Sequence, residues 1–229
     1  MNKINKITID STNSKTDLCN LGIKYPTDKS PYNTNKFLHK HAYTAIYNFL
    51  FSNIRYNNLV IGEIGIGYNY SMMLWRDYFP NAKLFGFEVR KERIEKAIAD
   101  NLPNSTYIEI DVQNKKSICN AFLKSSTMFD IIVEDSNHIF ENQIDLINVA
   151  YKYLNKGGLL IIEDVYMKEN ENRYADSLQN LNKYFSSITF VEANHELKQS
   201  EGWDNDKLLI LNRNNFNIFN PSVYPYTYL

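Results

Sequence analysis

Leu59-Val60-Ile61-Gly62-Glu63-Ile64-Gly65-Ile66-Gly67 is a short β-rich run that ends on glycines, and Tyr70 to Tyr78 follows with apolar residues at helical spacing. A strand that passes into a helix through two glycines one residue apart is a candidate ligand turn. Glycine lets the backbone bend tightly and approach a bound molecule without a Cβ clash. The next apolar run, Lys83 to Val89 (KLFGFEV), carries Glu88 at its end. An acidic side chain there can accept hydrogen bonds from both hydroxyls of a ribose. A tight turn that binds nothing is the plainer alternative, and Glu88 together with Asp111 weighs against it.

Outward from this segment, short apolar runs alternate with amphipathic stretches. Arg90 to Asn101 reads as a helix and Thr106 to Ile110 as a third strand ending at Asp111. Ser117 to Leu123 is helical and Phe129 to Val133 (FDIIV) is a fourth strand. Asn142 to Leu154 is a periodic helix, closed by a glycine turn at Asn155-Lys156-Gly157-Gly158. Leu159 to Val165 (LLIIEDV) is the fifth strand. Unalternated runs separated by helices indicate a parallel sheet covered on both faces. After a helix around Tyr174 to Tyr184, the strands Ser187 to Ala193 and Lys207 to Asn212 have no helix between them, which predicts an edge hairpin with one antiparallel strand. The amino-terminal part is loop-rich until a helix from about Asn35 to Ser52. It is expected as a loop-and-helix cap over residues 1–56, an appendage near the carboxyl edge of the sheet of a domain over 57–229.

The totals narrow the classes. The 229 residues suit one α/β domain with a short addition. A net charge of -1 leaves no electrostatic footprint for nucleic acid. The 2 cysteines, Cys19 and Cys119, form no CxxC pair and fit a reducing cytoplasm. Met1 to Thr16 shows no signal peptide, and no apolar run is long enough to span a bilayer. The expectation is a cytoplasmic protein without nucleic-acid or membrane partners, its oligomeric state open.

A dinucleotide loop wants GxGxxG, and Tyr70 stands where its third glycine belongs. The ExGxG form, the acid ending the next strand, Asp111 after the third and the terminal hairpin resemble class I SAM-dependent methyltransferases, over roughly Leu59 to Arg213. That resemblance implies a Rossmann-like, seven-stranded, mostly parallel α/β sheet of order 3-2-1-4-5-7-6 with helices on both faces. It implies S-adenosylmethionine as cofactor. Glu63 and the Gly65–Gly67 loop would face its methionine end, Glu88 its ribose, Asp111 and Val112 its adenine, with Asp135 beside it.

The fourth and fifth strands end in Glu134-Asp135-Ser136-Asn137-His138 and Glu163-Asp164. Carboxylates converging beyond neighbouring strand ends repel one another unless a cation is bound, and oxygen ligands favour Mg²⁺, Ca²⁺ or Mn²⁺. Any one of these acids alone is more often a helix cap. The DxxH, the GG turn and the ED pair together resemble the metal-dependent sugar O-methyltransferases of the macrocin and mycinamicin type. By that resemblance Asp135, Glu163 and Asp164 would bind Mg²⁺ or Mn²⁺, and His138, with Asp135, would be catalytic as the base. Thr27-Asp28-Lys29, then His39, His41 and Tyr43 on the amino-terminal helix, look like the TDK…H…Y opening of such proteins. Asp28, Lys29, His39, His41 and Tyr43 are therefore candidate pocket residues. The chain departs in having Ser136-Asn137 where the family often has Gly-Ser. Adjacent strand residues point to opposite faces, so Glu163 and Asp164 can both ligate only if the strand has ended by Glu163.

The resemblance implies a metal-assisted O-methyltransferase acting on a sugar hydroxyl of a nucleotide sugar, a surface polysaccharide or a glycosylated metabolite. The alternatives are methylation of a catechol-like phenol or other small molecule, and a non-catalytic SAM- or nucleotide-binding module. An NAD enzyme is disfavoured by the missing glycine. The tail residues Tyr224, Tyr226 and Tyr228 read first as packing or subunit-contact groups and second as sugar-stacking ones, and Trp203 is ambiguous in the same way.

Overall fold

Alternation along each strand sends successive side chains to opposite faces, and the sheet accordingly buries two apolar layers. The computed structural model describes residues 4–34, 39–200 and 202–214. In chain order the elements are β1 (Asn5–Asp10), α1 (Asp17–Lys24), α2 (Tyr43–Phe51), β2 (Val60–Ile64), α3 (Tyr70–Tyr78), β3 (Lys83–Glu88), α4 (Lys91–Ala99) and β4 (Ser105–Glu109). They continue with α5 (Lys115–Ser125), β5 (Phe129–Glu134), α6 (Phe140–Ala150), β6 (Leu154–Ile162), α7 (Glu171–Ser177), β7 (Phe185–Asn194) and β8 (Lys207–Arg213).

The 8 strands form one sheet in the order β1-β7-β8-β6-β5-β2-β3-β4. β2 pairs parallel with both β3 and β5, while β8 runs antiparallel between β6 and β7. The seven expected strands thus lie in the expected order, and the eighth, β1, adds a parallel edge beside β7. That strand is exposed and polar, held by Lys6 on Glu192 at 2.6 Å, so it lacks the apolar signature of a buried strand.

On one face Ile64, Phe87, Ile132 and Ile162 pack with Phe122 of α5, Leu146 of α6 and Tyr174 of α7. On the other, Ile61, Ile131, Val133 and Ile161 pack with Leu18 of α1, Tyr43 and Tyr47 of α2, and Trp75 of α3. Residues on both sides of position 56 share this second layer. Phe129 meets the rings of Phe85, Phe87 and Phe122 at 5.3, 6.1 and 5.9 Å, contacts worth about 0.5–1.5 kcal/mol each beyond area burial. They fix β5, whose end carries the acids.

Three local expectations are corrected. The helix before β6 stops at Ala150, a single 3-10 turn covers Tyr151–Tyr153, and Leu154 already pairs with Phe129. Asn155 to Gly158 is therefore not a helix-ending turn but an irregularity within β6, where the register shifts between Phe129 and Ile131 and Gly157 takes φ +78°. Bulge and helix stop use the same glycine signal. The expected fifth strand is shorter at its end, finishing at Ile162. The amino-terminal helix begins only at Tyr43, so His39 and His41 are not helical; Asn35 to Leu38 lie outside the described residues, as does the tail with Tyr224, Tyr226 and Tyr228. Among the described residues no helix is long and apolar enough to cross a membrane.

Candidate active site

Chain order reverses direction between β2 and β5, and ligands in open α/β sheets sit beyond the carboxyl ends at such a point. There the backbone is drawn tight. Gly65 donates to the Phe87 carbonyl and Asp135 to the Ile64 carbonyl, each at 2.8 Å. Gly65 has φ +88°, and a Cβ on it would lie 2.0 Å from the Asp135 carbonyl oxygen. Only glycine fits there.

From this turn a cleft of about 450 Å³ runs between the strand ends, a volume suited to a cofactor-sized ligand. Gly65 and Gly67 line its middle, Glu88, Asp111 and Val112 one end, Asp28, Lys29, Asp135 and His138 the other. Glu88 is buried, and its carboxylate accepts from the backbone of Gly67 at 3.1 Å, Val89 at 2.9 Å and Arg90 at 3.1 Å. It clamps the glycine loop as well as facing the cleft. The Asp111 carboxylate accepts from the Gln113 backbone at 2.9 Å, shaping the turn that presents Val112. Glu63, on the last turn of β2, accepts from the Trp75 indole at 2.7 Å.

Asp135, His138 and Asp164 bring one oxygen or nitrogen each within 4.8 Å of one another. His138 and Asp164 both adopt left-handed backbone, φ +57° and +56°, which costs a non-glycine residue on the order of 1 kcal/mol or more. His138 Nε2 lies 3.5 Å from Asp164 Oδ2, and its buried Nδ1 has no hydrogen-bond partner among the described residues. Asp164 Oδ1 accepts from the Tyr43 hydroxyl at 2.7 Å.

Glu163 stands outside this group although the strand has ended before it. Its carboxylate accepts from the Tyr47 hydroxyl and from Lys29 Nζ, the latter at 2.7 Å. The same ammonium pairs with Asp135 and, at 3.2 Å, with Glu63. Tyr43 and Tyr47, four residues apart on one face of α2, thus hold the two adjacent acids. That spacing was the available signal for Tyr47, which the sequence reading passed over.

Lys40 forms an antiparallel bridge with Gln199, and α2 begins three residues later, so His39 and His41 precede the helix that Tyr43 opens. The rings of His41 and Tyr43 stack at 4.8 Å and those of His39 and His41 at 6.1 Å. His41 Nδ1 lies 2.9 Å from Asp206 and its Nε2 3.5 Å from Asp164. His39 meets the half-exposed Trp203 edge-on at 5.2 Å.

The electrostatics record an excess of negative charge. Burial, with Asp28 and Asp164 adding to it, pushes the Asp135 carboxyl up to about 7 against the opposing effect of Lys29. Burial likewise holds Glu163 well above the usual carboxylate range. Burial works against a charge on His41, but Asp164 and Asp206 outweigh it and raise the imidazole to about 9. Lys29 and His41 are outnumbered by Asp28, Glu63, Asp135, Glu163 and Asp164. Two hard carboxylates with this uncompensated charge, beside an imidazole, form a set that fits Mg²⁺ or Mn²⁺.

No family model matches the chain. Among curated proteins it is 28% identical over 144 residues to mycinamicin VI 2''-O-methyltransferase of Micromonospora griseorubida, an alignment over 60% of this chain and 35% of that protein. It is 26% identical over 144 residues to demethylmacrocin O-methyltransferase of Streptomyces fradiae, over 60% of this chain and 35% of that protein. The matches therefore span about a third of the length of these curated relatives. The fold is similar to MycE, a methyltransferase from the mycinamycin biosynthetic pathway solved with Mg, SAH and mycinamycin VI. The TM-score is 0.64 at 20% identity, covering 88% of this chain and 55% of that one.

Proposed function

We propose that this chain, which has the class I SAM-dependent methyltransferase fold and is similar to the mycinamicin and macrocin sugar O-methyltransferases, is a divalent-metal-assisted O-methyltransferase acting on a sugar hydroxyl. The observation that carries the reading is the continuity of the cleft with the Asp135–His138–Asp164 group: a nucleoside-binding turn opens directly onto a cation-ready set of acids beside a histidine.

SAM supplies an electrophilic methyl group on a sulfonium, and a divalent cation lowers the pKa of a bound hydroxyl. The residues divide the remaining work. Glu63 and the Gly65–Gly67 loop bear on the methionine end, Glu88 on the ribose, and Asp111 with Val112 on the adenine. Asp135 and Asp164 would hold the cation, with Glu163 behind them on Lys29 and Tyr47. Methyl transfer is an in-line displacement, so the gain from fixing the acceptor oxygen opposite the sulfur is mainly one of orientation. His138 takes the proton of the acceptor hydroxyl at Nε2, and Asp164, 3.5 Å away, stabilises the imidazolium that results. His41 and Tyr43 fix the position of Asp164 from the other side.

The acceptor is a hydroxyl-bearing sugar of a glycosylated small molecule, with nucleotide sugars and polysaccharide fragments as further members of the class. Transfer of radiolabelled methyl from SAM to mycinamicin VI, a rhamnoside, a nucleotide sugar, a polysaccharide fragment and a catechol distinguishes these. Label is expected on one of the sugars, present with Mg²⁺ and lost on chelation. Label on the catechol alone, or transfer untouched by chelator, would refute the sugar or the metal respectively.

A further inference from the structure

We propose that Lys29 is a positioning residue whose ammonium is a resident counter-cation, holding the carboxylates of Glu63, Asp135 and Glu163 together and competing with the divalent cation for Asp135. The proposal rests on the metal reading above.

A lysine is almost never fully buried without partners, and the Lys29 side chain is 1% exposed. Its partners come from three different strand ends: Glu63 in β2, Asp135 after β5 and Glu163 after β6. One positive charge among two buried acids and the partly exposed Asp135 keeps them together without neutralising them. Asp164, held by the Tyr43 hydroxyl, adds a fourth.

Asp135 is the one carboxylate that belongs both to the lysine's set and to the Asp135–His138–Asp164 group. Glu163 is different: Oε2 takes Lys29 and Oε1 takes Tyr47, so both oxygens are engaged away from that group. A divalent cation entering the group shares Asp135 with the ammonium and is repelled by it. At a separation of a few ångströms in a partly screened interior, that repulsion is worth about tenfold or more in an equilibrium constant. Without a cation, Lys29 keeps the acids ordered. With one, it shifts its weight to Glu63 and Glu163, tying the cofactor turn to the metal side of the cleft.

The cap on α2 does not depend on the side chain. The Lys29 carbonyl accepts from Tyr43 N at 3.1 Å and Thr44 N at 3.2 Å, capping α2, and any residue at this position can supply it. Lys29→Met therefore removes the charge and leaves the cap.

Mn²⁺ titration of metal-free protein, followed by electron paramagnetic resonance, tests the proposal on the full chain. Wild type is expected to bind Mn²⁺, Asp164→Asn more weakly, and Lys29→Met about tenfold tighter or more. Equal or weaker binding by Lys29→Met overturns the proposal and leaves Lys29 a structural strut. A wild type that binds no Mn²⁺ overturns the metal reading and the proposal together, so the two failures are distinct. If Lys29→Met does not fold, ¹⁵N-lysine-labelled wild type gives the answer. The Lys29 ammonium resonance is expected to move on addition of Mg²⁺ and not of Na⁺, and an unmoved resonance overturns the proposal.

Discussion

His138→Ala is expected to lower kcat for methyl transfer by about 10³-fold while leaving the affinity for S-adenosylhomocysteine within about twofold. The imidazole projects from the left-handed turn after β5, with Nε2 3.5 Å from Asp164 Oδ2. Glu88, Gly65 and Gly67, which line the rest of the cleft, lie on β3 and the β2 turn, so truncation of His138 leaves the cofactor's contacts in place. A base that takes the acceptor proton contributes typically 10²–10⁴-fold, and its loss appears in kcat rather than in cofactor binding. Single-turnover transfer and calorimetry on the same preparation separate the two. A variant that keeps most of its kcat would remove His138 from the chemistry and leave it as an orphaned buried imidazole.

The second large effect is at Gly65. Gly65→Ala is expected to weaken S-adenosylhomocysteine binding by about 100-fold or more, because the new Cβ would lie 2.0 Å from the Asp135 carbonyl oxygen and 2.8 Å from the Ser136 Cα. Both obstacles are backbone, so the β2 and β5 turns must separate, and φ +88° adds strain of its own. Gly67→Ala provides the contrast. Its Cβ would meet no protein atom within 4 Å at φ +51°, so the substitution adds only about 1–2 kcal/mol of backbone strain there. Calorimetric titration of both variants, with melting curves to confirm folding, reads the difference. Equal binding by Gly65→Ala and wild type would mean that the cofactor lies elsewhere.

The strand order and the cofactor cleft were legible because their signals are local. β2, β3, β5 and β6 carry buried apolar runs separated by helices, and the acids that matter sit at fixed offsets from the ends of those runs. β1 was not legible, since an exposed edge strand needs pairing on one side only and carries little apolar pattern. The helix expected over His39 and His41 failed for a definite reason. The bridge from Lys40 to Gln199 ties the chain to a distant segment just before α2 and keeps His39 and His41 out of the helix. Lys29 was visible as a pocket candidate, but its role was hidden by distance. Its partners Asp135 and Glu163 lie 106 and 134 residues further along the chain, and a lysine in a polar loop otherwise reads as solvated. β6 ends at Ile162, yet the left-handed Asp164 still turns the two acids to different partners.

A crystal structure of the full chain with S-adenosylhomocysteine and Mn²⁺, recorded at the manganese absorption edge, bears most directly on the claim that one cleft holds cofactor and cation together. The account predicts an anomalous peak coordinated by Asp135 and Asp164, with the ribose of the nucleoside on Glu88 and its amino-acid end at Gly65. A nucleoside bound outside that cleft, or manganese away from Asp135 and Asp164, would contradict it.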